Sequence, residues 1–275
     1  MKPKIAVIQY PGSNCEYETA WAVRSAGMEA EIFRWNRSPE ELKEFDGYII
    51  SGGFSYQDRV RAGAIAAKKP IMKVIKEEAE KGKPVLGICN GAQILVEAGM
   101  IPGICWGEVE MALAPNLSGE RAGYYCNWIF VRCEVKGERC VFTKNFSPGE
   151  VIPLPVAHAE GRFITSKEGL LEELKEREQI VLRYCNSKGE IISEFPVNPN
   201  GSVYNIAGIC NPEGNVFALM PHPERANWIR QVPSDLDTPY SQLKEEAWGD
   251  LERMRAPGPG RKIFTSLLSF FLTKR

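Results

Sequence analysis

The sequence predicts an α/β domain in which a central, mostly parallel sheet is flanked by helices and extended by antiparallel strands. Three observations lead there. Over the first hundred residues, apolar runs at about 4–9, 29–35, 46–50 and 85–89 alternate with helical segments near 15–27, 38–44, 70–82 and 92–99, the rhythm of parallel strands joined by helical crossovers. Between about 104 and 220 the rhythm turns to strands such as Trp128-Ile129-Phe130-Val131 and Ile180-Val181-Leu182-Arg183-Tyr184, with a helix near Lys167 to Lys175, which argues antiparallel additions. Glycine-bearing turns follow two of the early strands, at the edge where such sheets bind ligands.

The opening Met1-Lys2-Pro3-Lys4 leads straight into the strand Ile5-Ala6-Val7-Ile8, an apolar run too short for export or membrane spanning. A chain of 275 residues with 44% hydrophobic content can bury one large core, so a single domain over 1–275 is expected. A net charge of −1 makes no electrostatic case for nucleic acid or a membrane surface. The eight cysteines, at 15, 89, 105, 126, 133, 140, 185 and 210, contain no C-x-x-C pair. Together with the lack of an export signal, this points to free thiols in the cytoplasm. With only two histidines no metal site is expected, and Cys126, Cys133 and Cys140 at intervals of seven are the sole weak pattern for zinc. Cys15, at the start of the first helix, reads as structural.

The strand at 85–89 breaks at Gly87-Ile88-Cys89-Asn90-Gly91, and an apolar helix begins there. This is the pattern of a nucleophile elbow with cysteine in place of serine. Residues without Cβ on either side let a sharp strand-to-helix turn form around a strained nucleophile. The following helix N-terminus favours negative charge on it. A buried cysteine ending a parallel strand is the competing reading, and the two glycines at fixed offsets decide against it.

A thiol nucleophile needs a base, and only His158 and His222 are available. His222 ends the apolar run Val216-Phe217-Ala218-Leu219-Met220 and is bracketed by Pro221 and Pro223. The prolines bias it toward extended backbone, so Glu224 at i+2 can face the same side and orient the imidazole. His158 also has an acid at i+2, Glu160, but no comparable strand end precedes it, and it ranks second. After Tyr48-Ile49-Ile50 the turn Ser51-Gly52-Gly53 lets bare backbone approach a substrate. The N–H groups of Gly53 and of Asn90, the residue after the nucleophile, are the expected oxyanion hole, with Gly52 and Gln93 as substrate-binding residues.

These residues carry a family resemblance. The elbow, the Gly-Gly turn and the Met220 to Arg225 segment resemble the class I, triad-type glutamine amidotransferases. Tyr10-Pro11-Gly12-Ser13-Asn14-Cys15, GGFSYQDRVRAGAIAA from Gly52, AHAEGRF from Ala157 and PVNPNGSVYNIAGICNPEGN from Pro196 are similar, more closely, to the glutaminase subunits of phosphoribosylformylglycinamidine synthase. The resemblance runs from residue 1 to about Arg225 and resumes at Ile263. It implies a flavodoxin-like class I amidotransferase fold and a Cys89, His222, Glu224 triad that hydrolyses glutamine through a γ-glutamyl thioester. It further implies ammonia delivery to a larger synthetase subunit, together with a small accessory subunit, that uses ATP and magnesium on formylglycinamide ribonucleotide, with no cofactor on this chain. Gln57 and Arg59 stand where the family motif has glycine and an aromatic, and Ala159 where it has glycine.

The segment from about 226 to 260, much shorter in most relatives, reads as a helical insert. Thr238 is an N-cap, Pro239 occupies the first helical position, and Tyr240, Leu243, Ala247, Trp248, Leu251 and Met254 recur at helical spacing. The insert either packs on its own domain or docks on the partner, and because it follows Glu224 directly it is expected to border the active-site mouth. Two other functions share parts of this pattern. A cysteine hydrolase or peptidase would have the elbow without the other blocks, and a non-catalytic subunit would keep the fold and lose a triad member.

Overall fold

In the computed structural model, which describes residues 1–273, the first half alternates as expected: β1 (Lys4–Gln9), α1 (Glu16–Ser25), β2 (Glu29–Arg34), β3 (Gly47–Ile50), α2 (Pro70–Glu80), β4 (Val85–Ile88) and α3 (Asn90–Glu97). The helix expected at 38–44 closes instead as a 3-10 helix, Pro39–Glu44. Six residues between a capping Ser38 and an extended Phe45 give too little length to propagate α-helical bonding.

The second half supplies short strands β5 (Ala112–Ala114), β6 (Leu117–Ser118) and β7 (Arg121–Ala122), then β8 (Tyr125–Cys133), β9 (Val151–His158) and β10 (Arg162–Ile164). After α4 (Leu170–Glu176) come β11 (Ile180–Cys185), β12 (Ile206–Cys210) and β13 (Val216–Leu219), followed by α5 (Pro239–Glu246) and α6 (Arg261–Thr273). One sheet takes the order β2-β1-β3-β4-β13-β12-β11-β8-β9. From β2 to β13 the pairings are parallel, and from β13 to β9 antiparallel.

Burial explains why the strands read as they do. Val85, Leu86, Ile88 and all four residues of β13 are fully buried, so these central strands are continuous apolar runs, as a sheet covered on both faces demands. The strand β9 is different: it carries Pro153 and Pro155 and still pairs with β8 over its whole length. It lies at the sheet edge, where a missing N–H costs no ladder bond on the open side. The prolines hid this strand, and with it the strand end that places His158.

The insert departs from its expected form. Thr238 does cap α5, accepting the Ser241 N–H through its side chain, with Pro239 in the first turn. The helix stops at Glu246, however, and Gly249 sits at φ +84°, a left-handed conformation that ends helical propagation. The stripe is therefore split: Ala247 is buried, while Leu243, Trp248 and Leu251 are exposed, the last two by about 80%. What pins the insert is its base. Ile229 and Val232 are buried, Trp228 bridges Pro257, and Asn227 bonds Ser25 and Arg261. Ser25 ends α1, about 15 Å along the helix from Cys15 at the other end. These anchors fix the base of the insert against the C-terminal end of α1, and Gln231 Nε2 donates to the Glu224 carbonyl at 3.4 Å, tying the insert to the segment that follows His222.

Backbone packs on backbone where α3 meets β3: a Cβ on Gly91 would lie 2.0 Å from the Ile50 carbonyl oxygen, and one on Gly87 would lie 2.5 Å from the Gly91 carbonyl oxygen. Gly91→Ala must push α3 off the sheet, and about 2 kcal/mol or more of stability is expected to go with it, a fall of roughly 5 °C in Tm. Thermal unfolding measures it; an unchanged Tm would mean that α3 can shift without loss.

Candidate active site

Cys89 occupies the turn between β4 and α3 at φ 50° and ψ −105°, a conformation that costs a non-glycine residue about 1–3 kcal/mol and persists only where its surroundings impose it. They do so here. The Cys89 N–H donates to the Leu219 carbonyl at 2.8 Å, continuing the β4–β13 ladder, and the flanking glycines leave no room for the turn to relax. The thiol is buried, with Sγ 3.6 Å from the Ala157 carbonyl oxygen.

His222 follows β13, the strand paired with β4, so the parallel register that sets Leu219 beside Ile88 also sets His222 beside the elbow. Its N–H donates to the Pro155 carbonyl at 2.8 Å. Nδ1 lies 2.6 Å from Glu224 Oε1, and both side chains are buried. Glu224 reaches the ring through a 3-10 turn, Pro223–Ala226, rather than by the strand alternation expected from the sequence. The other ring nitrogen, Nε2, is buried without a hydrogen-bond partner. Burial works against a charged imidazole, but the Glu224 carboxylate, aided by the Cys89 and Cys15 thiols, outweighs it and raises the pKa of His222 well above the usual histidine range.

The Gly-Gly turn has two separate jobs. A Cβ on Gly52 would sit 2.9 Å from His222 Cε1 and 3.2 Å from Cys15 Sγ, so Gly52, expected to bind substrate, is glycine to leave room for the imidazole. Its carbonyl accepts the N–H groups of Asn14 and Cys15 at 3.3 and 3.4 Å. Across a trans peptide this turns the Gly53 N–H the opposite way. Gly53, at φ +143°, lines the cleft that holds Cys89. Asn90 opens α3, where a backbone N–H has no partner within the helix. Its side chain ties the loop to the elbow: Oδ1 accepts the Ser55 N–H at 3.0 Å, and Nδ2 donates to Asp58 and Gln93. The Gln93 amide in turn donates to the Glu160 carbonyl at 2.6 Å, so both ends of this expected substrate contact are engaged within the protein.

His158 ends β9 and lines the same cleft. Its Nδ1 is 3.2 Å from Asn116 Oδ1 rather than beside a carboxylate, and Glu160 accepts the Ala62 N–H instead. Burial, reinforced by the nearby charge of His222, pushes the His158 pKa down to about 3 and keeps the ring neutral. It lacks what orients and charges His222. A cavity of about 390 Å³ is lined by Ala79, Gly82 and Asn215, at the ends of β4 and β13 opposite the elbow, and holds neither thiol nor histidine.

The structure adds residues that the sequence reading passed over. Cys15 caps α1 as expected, but its Sγ also accepts from Arg225 Nη2 at 3.1 Å beside the imidazole. Cys15, His222 and Glu224 bring potential metal-ligand atoms within 4.8 Å of one another, yet the Arg225 guanidinium occupies the thiol and Glu224 is bonded to the ring. Among the described residues, Cys126, Cys133 and Cys140 form no such cluster. Asp58 and Glu160 also line the cleft; the only signal for Asp58 was its place inside a block quoted for the resemblance, whereas Glu160 was legible as the acid two residues after His158.

Comparison with known proteins agrees along the whole chain. The family model for the CobB/CobQ-like glutamine amidotransferase domain matches residues 2–271. The phosphoribosylformylglycinamidine synthase subunit PurQ of Methanothrix thermoacetophila is 52% identical over 99% of both chains, a span that must include the 226–260 segment. The PurQ subunit of Aquifex aeolicus is 44% identical over 82% of this chain and 91% of its own. Among solved structures, a chain from the structure of PurLQS from Thermotoga maritima is 33% identical, with a TM-score of 0.72 over 98% of this chain and 100% of that one. A glutamine amidotransferase from Thermotoga maritima, 16% identical with a TM-score of 0.51 over 100% of this chain and 98% of that one, shares the fold. The chain belongs to the CobB/CobQ-like glutamine amidotransferase family, among the PurQ subunits of phosphoribosylformylglycinamidine synthase.

Proposed function

We propose that this chain is the glutaminase of a phosphoribosylformylglycinamidine synthase, with Cys89, His222 and Glu224 as its triad. The observation that carries the assignment is the strained, glycine-flanked Cys89 one strand away from a buried histidine whose Nδ1 is held 2.6 Å from a carboxylate. Nε2, left without a partner, takes the thiol proton as Sγ attacks the side-chain amide carbon of glutamine. The oxygen becomes an oxyanion, met by the N–H groups of Gly53 and Asn90. On collapse the C–N bond breaks, the imidazolium returns its proton to the leaving nitrogen, and ammonia departs from a γ-glutamyl thioester. Water, deprotonated by His222, then releases glutamate and restores the thiol. Glu224 fixes the tautomer and supports the imidazolium throughout.

The ammonia goes to a larger synthetase subunit, which binds ATP and magnesium and converts formylglycinamide ribonucleotide to formylglycinamidine ribonucleotide; a small accessory subunit completes the assembly. The PurQ naming of the relatives and the PurLQS assembly of the Thermotoga chain support this reading. No helix among the described residues is long and apolar enough to cross a membrane. Eight free cysteines fit work in the reducing cytoplasm.

Cys89→Ala is expected to abolish glutamine-dependent synthesis by the assembled enzyme while ammonium salts still support it. Glutaminase activity surviving in that variant would remove Cys89 from the nucleophile role. His222→Ala should lower kcat nearly as far, by about three orders of magnitude or more, with Glu224→Gln milder, because the members of a triad act as a unit. His158→Ala should lose far less kcat than His222→Ala, and the reverse order in steady-state kinetics would exchange their roles. Isolated glutaminase turnover is expected to rise on adding the synthetase subunit with its nucleotide, through the Gly52-Gly53 peptide, which two long hydrogen bonds hold. An equal rate with and without partner would place the assembled oxyanion hole in the free chain.

A further inference from the structure

We propose that Cys15 is a positioning residue for His222: its sulfur is a fixed acceptor against the imidazole, which holds the ring in place and meets its positive charge on the side away from Cys89. The inference rests on the glutaminase reading and concerns what stands behind the base. Cys15 occupies the N-cap position of α1, yet its side chain makes no capping bond to the helix. The sulfur of this residue, only 1% exposed, is turned instead toward the catalytic segment. Sulfur and ring meet at Gly52, where one added Cβ would lie 2.9 Å from His222 Cε1, 3.5 Å from Nδ1 and 3.2 Å from Cys15 Sγ. The thiol therefore approaches the Nδ1–Cε1 edge, and Nε2 is left for Cys89.

Two neighbours set the orientation of the thiol. Sγ donates to Asn14 Oδ1 at 3.1 Å and accepts from Arg225 Nη2 at 3.1 Å. With its proton turned to Asn14, the sulfur presents lone pairs to the ring. Arg225 is itself tethered, because its Nε donates to Glu18 Oε2 at 3.2 Å, one turn further along α1. Its backbone N–H donates to the His222 carbonyl at 3.2 Å, so guanidinium and imidazole belong to one short turn. The main chain of Cys15 is anchored as well: its N–H donates to the Gly52 carbonyl at 3.4 Å, and its carbonyl accepts the Thr19 hydroxyl at 2.7 Å. Burial raises the pKa of Cys15, so it stays a neutral thiol. A polarisable acceptor of this kind favours a cation beside it without titrating itself.

The charged and titratable groups around the ring are Glu224 and Arg225 on its own segment, Cys15 and Glu18 on α1, Cys89 at the elbow, His158 at the end of β9 and Tyr124 before β8. The test alters Cys15 alone. Cys15→Ala and Cys15→Ser are compared with wild type in the complex with the synthetase subunit, by glutaminase kcat, KM for glutamine and kcat/KM against pH. Loss of an acceptor beside the imidazolium lowers the pKa values of the thiol–imidazole pair, so the Cys15→Ala profile should move to lower pH by about half a unit or more. Its kcat at neutral pH should fall about tenfold with little change in KM. Cys15→Ser, which keeps an O–H for Asn14 and lone pairs for Arg225 and the ring, should recover most of both. The pH at which a limb falls does not depend on how much of a sample is folded, so an unstable variant still reports. A Cys15→Ala profile that stays at the wild-type pH overturns the proposal, even if kcat falls, and leaves the glutaminase reading intact. A wild-type complex that releases no ammonia from glutamine overturns the glutaminase reading itself.

Discussion

Everything at the catalytic edge depends on the parallel pairing of β4 with β13. The two strands lie more than a hundred residues apart in sequence, yet the register Val216↔Val85 through Leu219↔Ile88 ends with the Cys89 N–H donating to Leu219. The thiol and the imidazole are each the first functional side chain beyond its strand. A slip of one residue would reverse which face every β13 side chain meets, and the complete burial of that strand holds the register. The same ladder opposes relaxation of the backbone at Cys89.

Glycines then let main chain reach where side chains would block it. At Gly91 the partner is the Ile50 carbonyl, at Gly87 it is Gly91 itself, and at Gly52 it is the catalytic imidazole. The His222 and Glu224 pair is a buried, bonded couple whose desolvation is unfavourable unless its geometry is close to ideal. Prolines on both sides of the histidine and the Pro155 carbonyl supply that geometry without mobile parts. The machinery for chemistry therefore sits on rigid elements, whereas Asp58 and Glu160, which line the same cleft, belong to loops tied to those elements by Asn90 and Gln93.

The insert illustrates a limit of periodicity. Its cap was legible because Thr238 and Pro239 act through bonds within one turn. Its apolar stripe was misleading: Leu243, Trp248 and Leu251 have helical spacing, but Gly249 ends the helix and leaves them in solvent. Spacing records which residues would share a face if a helix continued, and says nothing of whether a surface waits to receive it.

The sequence by itself determined what is set by neighbours within a few residues: the alternation of strand and helix, the elbow around Cys89, the proline-bracketed His222 and the double glycine after β3. In each, local sterics or backbone freedom restricts which residues can serve, so the residue types report the conformation. Only the tertiary structure decided that β9, with its two prolines, is an edge strand, that Cys15 touches His222, that Gly52 makes room for a ring, and that Asp58, His158 and Glu160 share a cleft. These contacts join segments separated by tens to hundreds of residues, through strand order and burial, and no pattern within a single segment records which distant partner it will meet.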